Sequence, residues 1–198
     1  MKFFTRSEVY LVTGILLFIF TLSFFNYQKA LVRARDVQRK SDINRIVAGL
    51  GLYHAEFGFY PPATPDGRIA ACLKKEAPLV IFEKTDTKEH LLEIFDPCGW
   101  GQDALRDVFD EAHPAYLESI PGDPEHLSGD YYFYFSTVDH FQILAALESK
   151  EEPEFSVDIK EREISCGRRL CNFGKSTEGV PLSAPLEDYE RSLLEKDR

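Results

Sequence analysis

Residues 25–42 read FNYQKALVRARDVQRKSD, an apolar run joined to a basic one with no glycine or proline between them. With no breaker at the join, one helix is expected to pass from an apolar medium straight into water. Upstream, residues 9–27 (VYLVTGILLFIFTLSFFNY) form a run of 19 without an ionised side chain. As helix it spans roughly 28 Å, close to the thickness of a bilayer core. The run exceeds a typical signal-peptide core, and Ser23-Phe24-Phe25 offers no small-x-small cleavage site, so it is read as a retained anchor rather than a removed signal.

Downstream the helix has reason to continue. Ile43, Ile46, Val47, Leu50 and Tyr53 or His54 recur at i, i+3, i+4 and i+7, an apolar stripe on a polar rod that needs a covering surface. Gly49 and Gly51 each weaken a helix by about 1 kcal/mol relative to alanine, a cost that fits close approach of another backbone. Gly58 and Pro61-Pro62 should stop the helix near residue 57. From residue 5 to 57 the rod would be about 80 Å long.

The chain has 198 residues, 44% of them hydrophobic, and a net charge of -10, enough for one globular domain and an anchor. Residues 29–45 hold Lys29, Arg33, Arg35, Arg39, Lys40 and Arg45 against Asp36 and Asp42, whereas acids crowd 83–130 and 148–163. A basic neck under an acidic head argues against nucleic acid, which would call for positive charge on the exposed face of the head. Counted over short flanks, the basic residues after the span outnumber Lys2 and Arg6 before it, and that rule alone would put the head in the cytosol. Cys72, Cys98, Cys166 and Cys171 point the other way, being an even set consistent with two disulfides in an oxidising compartment. A zinc site has less support from the CGRRLC spacing, and free buried thiols are the third option.

Along the rest of the chain, 61–78 reads as irregular loop, and Thr87 to Phe95 and Asp103 to Ala112 as short helices with apolar residues at helical spacing. SIPGDPEHLSGD from Ser119 is dense in turn formers and reads as loop. YYFYFST (131–137) and FQILAALE (141–148) read as an antiparallel hairpin. FSVDI (155–159) alternates like a third strand. The end of the chain is a polar tail, disordered or a short helix. The expected fold is α+β: a long N-terminal helix packed on a small antiparallel sheet of about three strands, with short helices in the connecting region. Its segments are 1–8 (start), 9–27 (membrane half), 28–57 (amphipathic half), 58–180 (head) and 181–198 (tail).

Several runs resemble type IV pilins and type II secretion pseudopilins, the G-type major pseudopilin in particular. Phe4-Thr5-Arg6-Ser7-Glu8 stands where that family has its helix start, and Asn26-Tyr27 where the helix leaves the bilayer. RARDVQRKSDINRI, GLYHAEFGFYPP and IPGDP at 120–124 are similar to further family runs. The likeness covers residues 1–60 and, less fully, 117–148. The chain differs from the family pattern in having Phe3 before the cleavage position, where the family has glycine, Arg6 and Ser7 for two apolar residues, and Phe25 for a frequent proline.

The resemblance implies a pilin-like fold and a structural subunit of a type IV pilus or type II secretion filament. Cleavage would fall before Phe4, and Glu8 would neutralise the amino terminus of a neighbouring subunit. A carboxylate at a helix N-terminus is also stable there on its own account. Partners would be other pilin or pseudopilin subunits, membrane lipid and an assembly platform. The protein would sit in the cytoplasmic membrane by a single pass, N-terminus inside and head extracytoplasmic. Calcium is a further implication, with Asp123, Glu125, Asp130 and Asp139 as oxygen donors, although regular calcium-loop spacing is missing and turn-forming aspartates are the better explanation of them.

Arg33, Arg35, Arg39 and Lys40 could grip lipid headgroups or acidic patches on adjacent heads. The competing explanation is a solvated helix face partnered by Asp36 and Asp42. For catalysis the sequence offers little. His54, His90, His113, His126 and His140 are scattered, and no nucleophile-elbow or phosphate-loop motif occurs. No covalent chemistry is expected and no cofactor beyond the calcium just named. The alternative to a filament subunit is a membrane-tethered binding or sensor protein that does not polymerise.

Overall fold

The computed structural model describes residues 6–73, 95–108, 110 and 112–196. Helix α1, Arg6–Phe57, runs for 52 residues through the apolar and basic stretches alike, about 78 Å at 1.5 Å per residue. It ends where its sequence breaks: Gly58 takes φ 74° and donates its N–H to the His54 carbonyl at 2.8 Å, the left-handed cap that glycine accommodates best.

The two halves of α1 have different surroundings. In the first, large apolar side chains stand in the open on all sides, Leu17 at 62% and Phe20 at 69% exposure. This is a helix long and apolar enough to cross a membrane, and none of its apolar window is buried by the rest of the chain. In the second half Asp36, Arg39, Asp42, Ile43, Ile46, Leu50 and Tyr53 are all buried, one continuous stripe at helical spacing.

The head folds on that stripe. Strands β1, Ala70–Leu73, and β2, Phe95–Pro97, pair antiparallel and are joined by the Cys72–Cys98 disulfide. A second antiparallel sheet has the order β3, β4, β5, formed by Phe133–Ser136, Phe141–Ala145 and Phe173–Ser176. β4 lies in the middle and is buried at every position. Phe141, Ile143 and Ala145 share the core with Ile43, Ile46, Leu50 and Tyr53 of α1. On the other face Leu144 packs with Ile159 and the Cys166–Cys171 disulfide. The buried Gln142 is fully used: its amide donates to the carbonyls of Pro181 and Ala184, and its oxygen accepts from Arg162.

The third strand is not where the alternation of FSVDI placed it. Ser156 caps a short helix, α2, Val157–Glu161, by accepting the Ile159 N–H, and a cap overrides a weak period-2 pattern. β5 occupies the position instead, its inner surface kept thin at Gly174, where a Cβ would meet the Ile143 carbonyl and the Leu144 side chain. Nor is there a helix at 103–108. Leu105 is fully buried and exchanges backbone hydrogen bonds of 2.9 and 3.0 Å with Leu117, so cross-chain pairing satisfies the backbone there. Of the helix expected from Thr87 to Phe95, residues 87–94 lie outside the described residues, and Phe95 opens β2. The polar tail forms helix α3, Leu186–Lys196, fastened where Glu190 accepts from Thr137 at 2.7 Å and meets the His140 ring at 2.6 Å.

The two helix glycines differ. A Cβ at Gly49 would collide with the side chain of Leu117, whereas one at Gly51 would meet nothing within 4 Å. Close approach therefore accounts for Gly49, by a side chain rather than a backbone.

Candidate functional site

The place where the head grips α1 is ionic. Arg39 is wholly buried on the same face as the apolar stripe. Its Nε and Nη2 donate to the two carboxylate oxygens of Asp123 at 2.7 and 3.1 Å, and its Nη1 donates to Asp36 at 2.9 Å and Glu148 at 2.8 Å. One turn earlier Arg35 takes Glu148 in a two-bonded fork, both contacts 2.6 Å. Asp36 in turn accepts the backbone N–H groups of Glu148 and Ser149, each at 2.9 Å. The chain leaving β4 is thereby hooked onto the helix through its backbone as well as its side chains.

The cysteine loop extends the cluster. Arg168 and Arg169 both bond Asp130 and Glu125, and Arg169 reaches Glu148 at 3.5 Å. Gly167, at φ 90°, lets the loop lie against the backbone of Gly129 and Asp130, with no room for a Cβ. Arg35, Arg39, Arg168 and Arg169 thus face Asp36, Asp123, Glu125, Asp130 and Glu148. Such near-balance is what permits the buried members, Asp36, Arg39, Asp123 and Asp130, to keep their charge away from water. Beside it Lys40 bonds Glu152 and Glu154, and the Tyr132 hydroxyl donates to Asp42 at 3.1 Å.

Electrostatics follow the geometry. Burial opposes the Arg39 charge, but hydrogen bonds to Asp123, Glu148 and Asp36 outweigh it and its pKa is raised. Burial alone would raise Glu148; Arg35 and Arg39 instead draw it down to about 2. Asp130 is likewise lowered, its burial outweighed by Arg168 and Arg169. Asp42 goes the other way, raised chiefly by burial, because the neutral Tyr132 hydroxyl is its closest partner.

The residues singled out from sequence fall into separate places. Of the basic neck, Arg35, Arg39 and Lys40 are turned into the acids of their own head, whereas Arg33 stands exposed and has no ion-pair partner among the described residues. For those three a role gripping lipid or adjacent heads is replaced by an internal one. Glu8 lies exposed in the first turn of α1, and Phe4 lies outside the described residues. The four cysteines form two disulfides.

The oxygens offered for calcium are otherwise engaged or apart: Asp123, Glu125 and Asp130 bind guanidinium groups, and Asp139 sits in the exposed turn between β3 and β4. Among the described residues no group of three or more His, Cys, Asp or Glu is arranged to hold a metal ion. The sequence does not mark Glu148 as a partner of the neck, nor Arg168 and Arg169 as cations that share its acids. The one local signal was the i, i+3 pair Asp36 and Arg39, which fits a solvated face equally well.

No family model matches the chain, and neither a curated protein nor a solved structure matches it.

Proposed function

We propose that the protein is a pilin-like structural subunit, anchored in the cytoplasmic membrane by the first half of α1 and assembled with its own kind or related subunits through that same half. The observation that carries this reading is the contrast along one unbroken helix. Apolar side chains exposed on every side call for a covering of lipid or of other apolar helices. The second half is locked to a disulfide-linked head by a buried ionic cluster. A rod of this kind transmits the position of the head to the membrane without a joint. The disulfides support a head in an oxidising compartment, hence N-terminus inside. Work is done by packing, with assembly energy supplied by other components.

Arg6 near the start of α1 and Phe3 in place of glycine favour a second reading, a membrane tether that never polymerises. The two separate in one experiment on protein recovered from native membranes. N-terminal mass analysis is combined with oxidative cross-linking of Leu16→Cys, at an exposed site. A chain beginning at Phe4, and multimers formed through Leu16→Cys together with a second cysteine at Phe25, support the filament subunit. An intact Met1 with monomers alone supports the tether.

A further inference from the structure

Cations along the neck differ in what they bind. Arg35, Arg39 and Lys40 are consumed by acids of the head, whereas Lys29 and Arg33, nearer the apolar span, make no ion pair among the described residues. They sit at i and i+4 on one exposed face, where like charges repel. The loop after β4 brings a third cation, Lys150, to the same place, also without an ion pair among the described residues. Lys29, Val32, Arg33, Ser149, Lys150 and Glu151 line a cleft of about 360 Å³ open to solvent. Glu151 is the one opposing charge, which leaves a positive excess.

The height of this cleft identifies its ligand. Tyr10 and Tyr27, both exposed, bracket the apolar span as interfacial aromatics do, roughly 26 Å apart along the helix. Lys29 then lies about 3 Å beyond Tyr27, inside the layer of headgroups that extends some 5–7 Å outside the hydrocarbon, and Arg33, at about 9 Å, stands at its outer edge with a side chain long enough to reach back into it. We infer that the cleft binds the phosphate of an anionic phospholipid in the leaflet under the head, with Lys29, Arg33 and Lys150 as its ligands and Glu151 accepting a headgroup hydroxyl. The head would then be seated on the bilayer at a fixed height by a bound lipid. This inference rests on the membrane reading above.

Native mass spectrometry of the full-length protein in neutral detergent tests it, with phosphatidylglycerol, phosphatidylcholine or inorganic phosphate added. The combined variant Lys29→Gln, Arg33→Gln and Lys150→Gln touches no member of the buried cluster, and Lys175→Gln, at the exposed position of β5, controls for loss of a surface cation away from the cleft. Phosphatidylglycerol should be retained in preference to phosphatidylcholine. The triple variant should lose on the order of a hundredfold in its affinity, about fivefold per cation, and Lys175→Gln should lose little. Equal retention of the two lipids, undiminished binding by the triple variant, or displacement of the lipid by millimolar inorganic phosphate would each overturn the proposal. Alkaline carbonate extraction of membranes separates the failures. Protein that stays with the bilayer but shows no lipid preference defeats the lipid site alone. Protein released without detergent defeats the membrane reading and the site together.

Discussion

The two halves of α1 share one backbone and obey opposite rules. In the first, burial inside the chain is nil although the side chains are large and apolar; in the second, full burial extends to an aspartate and an arginine. Side-chain polarity therefore does not decide what this chain buries. The availability of a partner does: the head supplies carboxylates for Arg39 and arginines for Glu148, and nothing in the described residues covers Leu17 or Phe20. The apolar half is built for an outside medium and the polar half for an inside one.

The largest effect expected from disturbing this contrast is at Arg39. Replacement by alanine leaves Asp36, Asp123 and Glu148 without their shared cation and should cost about 3–5 kcal/mol, read as a fall in the unfolding midpoint followed by Trp100 fluorescence in detergent. Trp100 lies edge-on to Tyr132 within the core and reports the head alone. An unchanged midpoint would show that the cluster does not hold head to helix.

Acid should act on the same contacts. Glu148 titrates at about 2 in the fold against an ordinary 4.5, a depressed value, so its contribution is complete above the ordinary value and is lost as pH falls toward the folded one. The loss amounts to about 3 kcal/mol. A Glu148→Gln variant should be less stable at neutral pH and lose less between pH 4.5 and 2; matching acid profiles for the two proteins would contradict the assignment.

Smaller effects sharpen the boundary between covered and uncovered helix. Gly49→Ala should destabilise by about 1–3 kcal/mol through its clash with Leu117, and Leu117→Ala in the same chain should relieve part of the loss. Gly51→Ala, facing open space, should instead stabilise by up to about 1 kcal/mol. Leu16→Ala should leave the melting of the head within about 0.5 kcal/mol, since the head does not touch it. A large effect there would mean that the apolar half has a partner within the fold.

Much of this was legible in the sequence where one signal had no competitor. An unbroken apolar run, a glycine stop at Gly58 and an aromatic hairpin each admit one reading, and Ile43, Ile46, Leu50 and Tyr53 are buried as their spacing requires. The third strand escaped because FGKS at 173–176 is short and contains a glycine, while FSVDI mimics a strand until Ser156 caps a helix. The ionic cluster escaped for a deeper reason. Arg39 and Glu148 are 109 positions apart, and a charged residue reads as solvated until its partners are brought to it by the fold. Arg39 and Asp36 continue the apolar stripe by two more turns, so their phase on the helix was visible, but not the reason to bury them.

The central claim is that α1 is one stiff element, lipid-covered at one end and head-covered at the other. A nitroxide scan along residues 9–57 of the full-length protein in lipid nanodiscs tests it most directly, by mobility and by access to oxygen and to a water-soluble relaxant. Oxygen access should be high around the helix from 9 to 27, followed by immobilisation with helical periodicity at Asp36, Arg39, Ile43, Ile46 and Leu50, in phase and without a mobile interval near Gln28. A freely mobile stretch between Tyr27 and Arg35, or protection of 9–27 from lipid by the head, would contradict it.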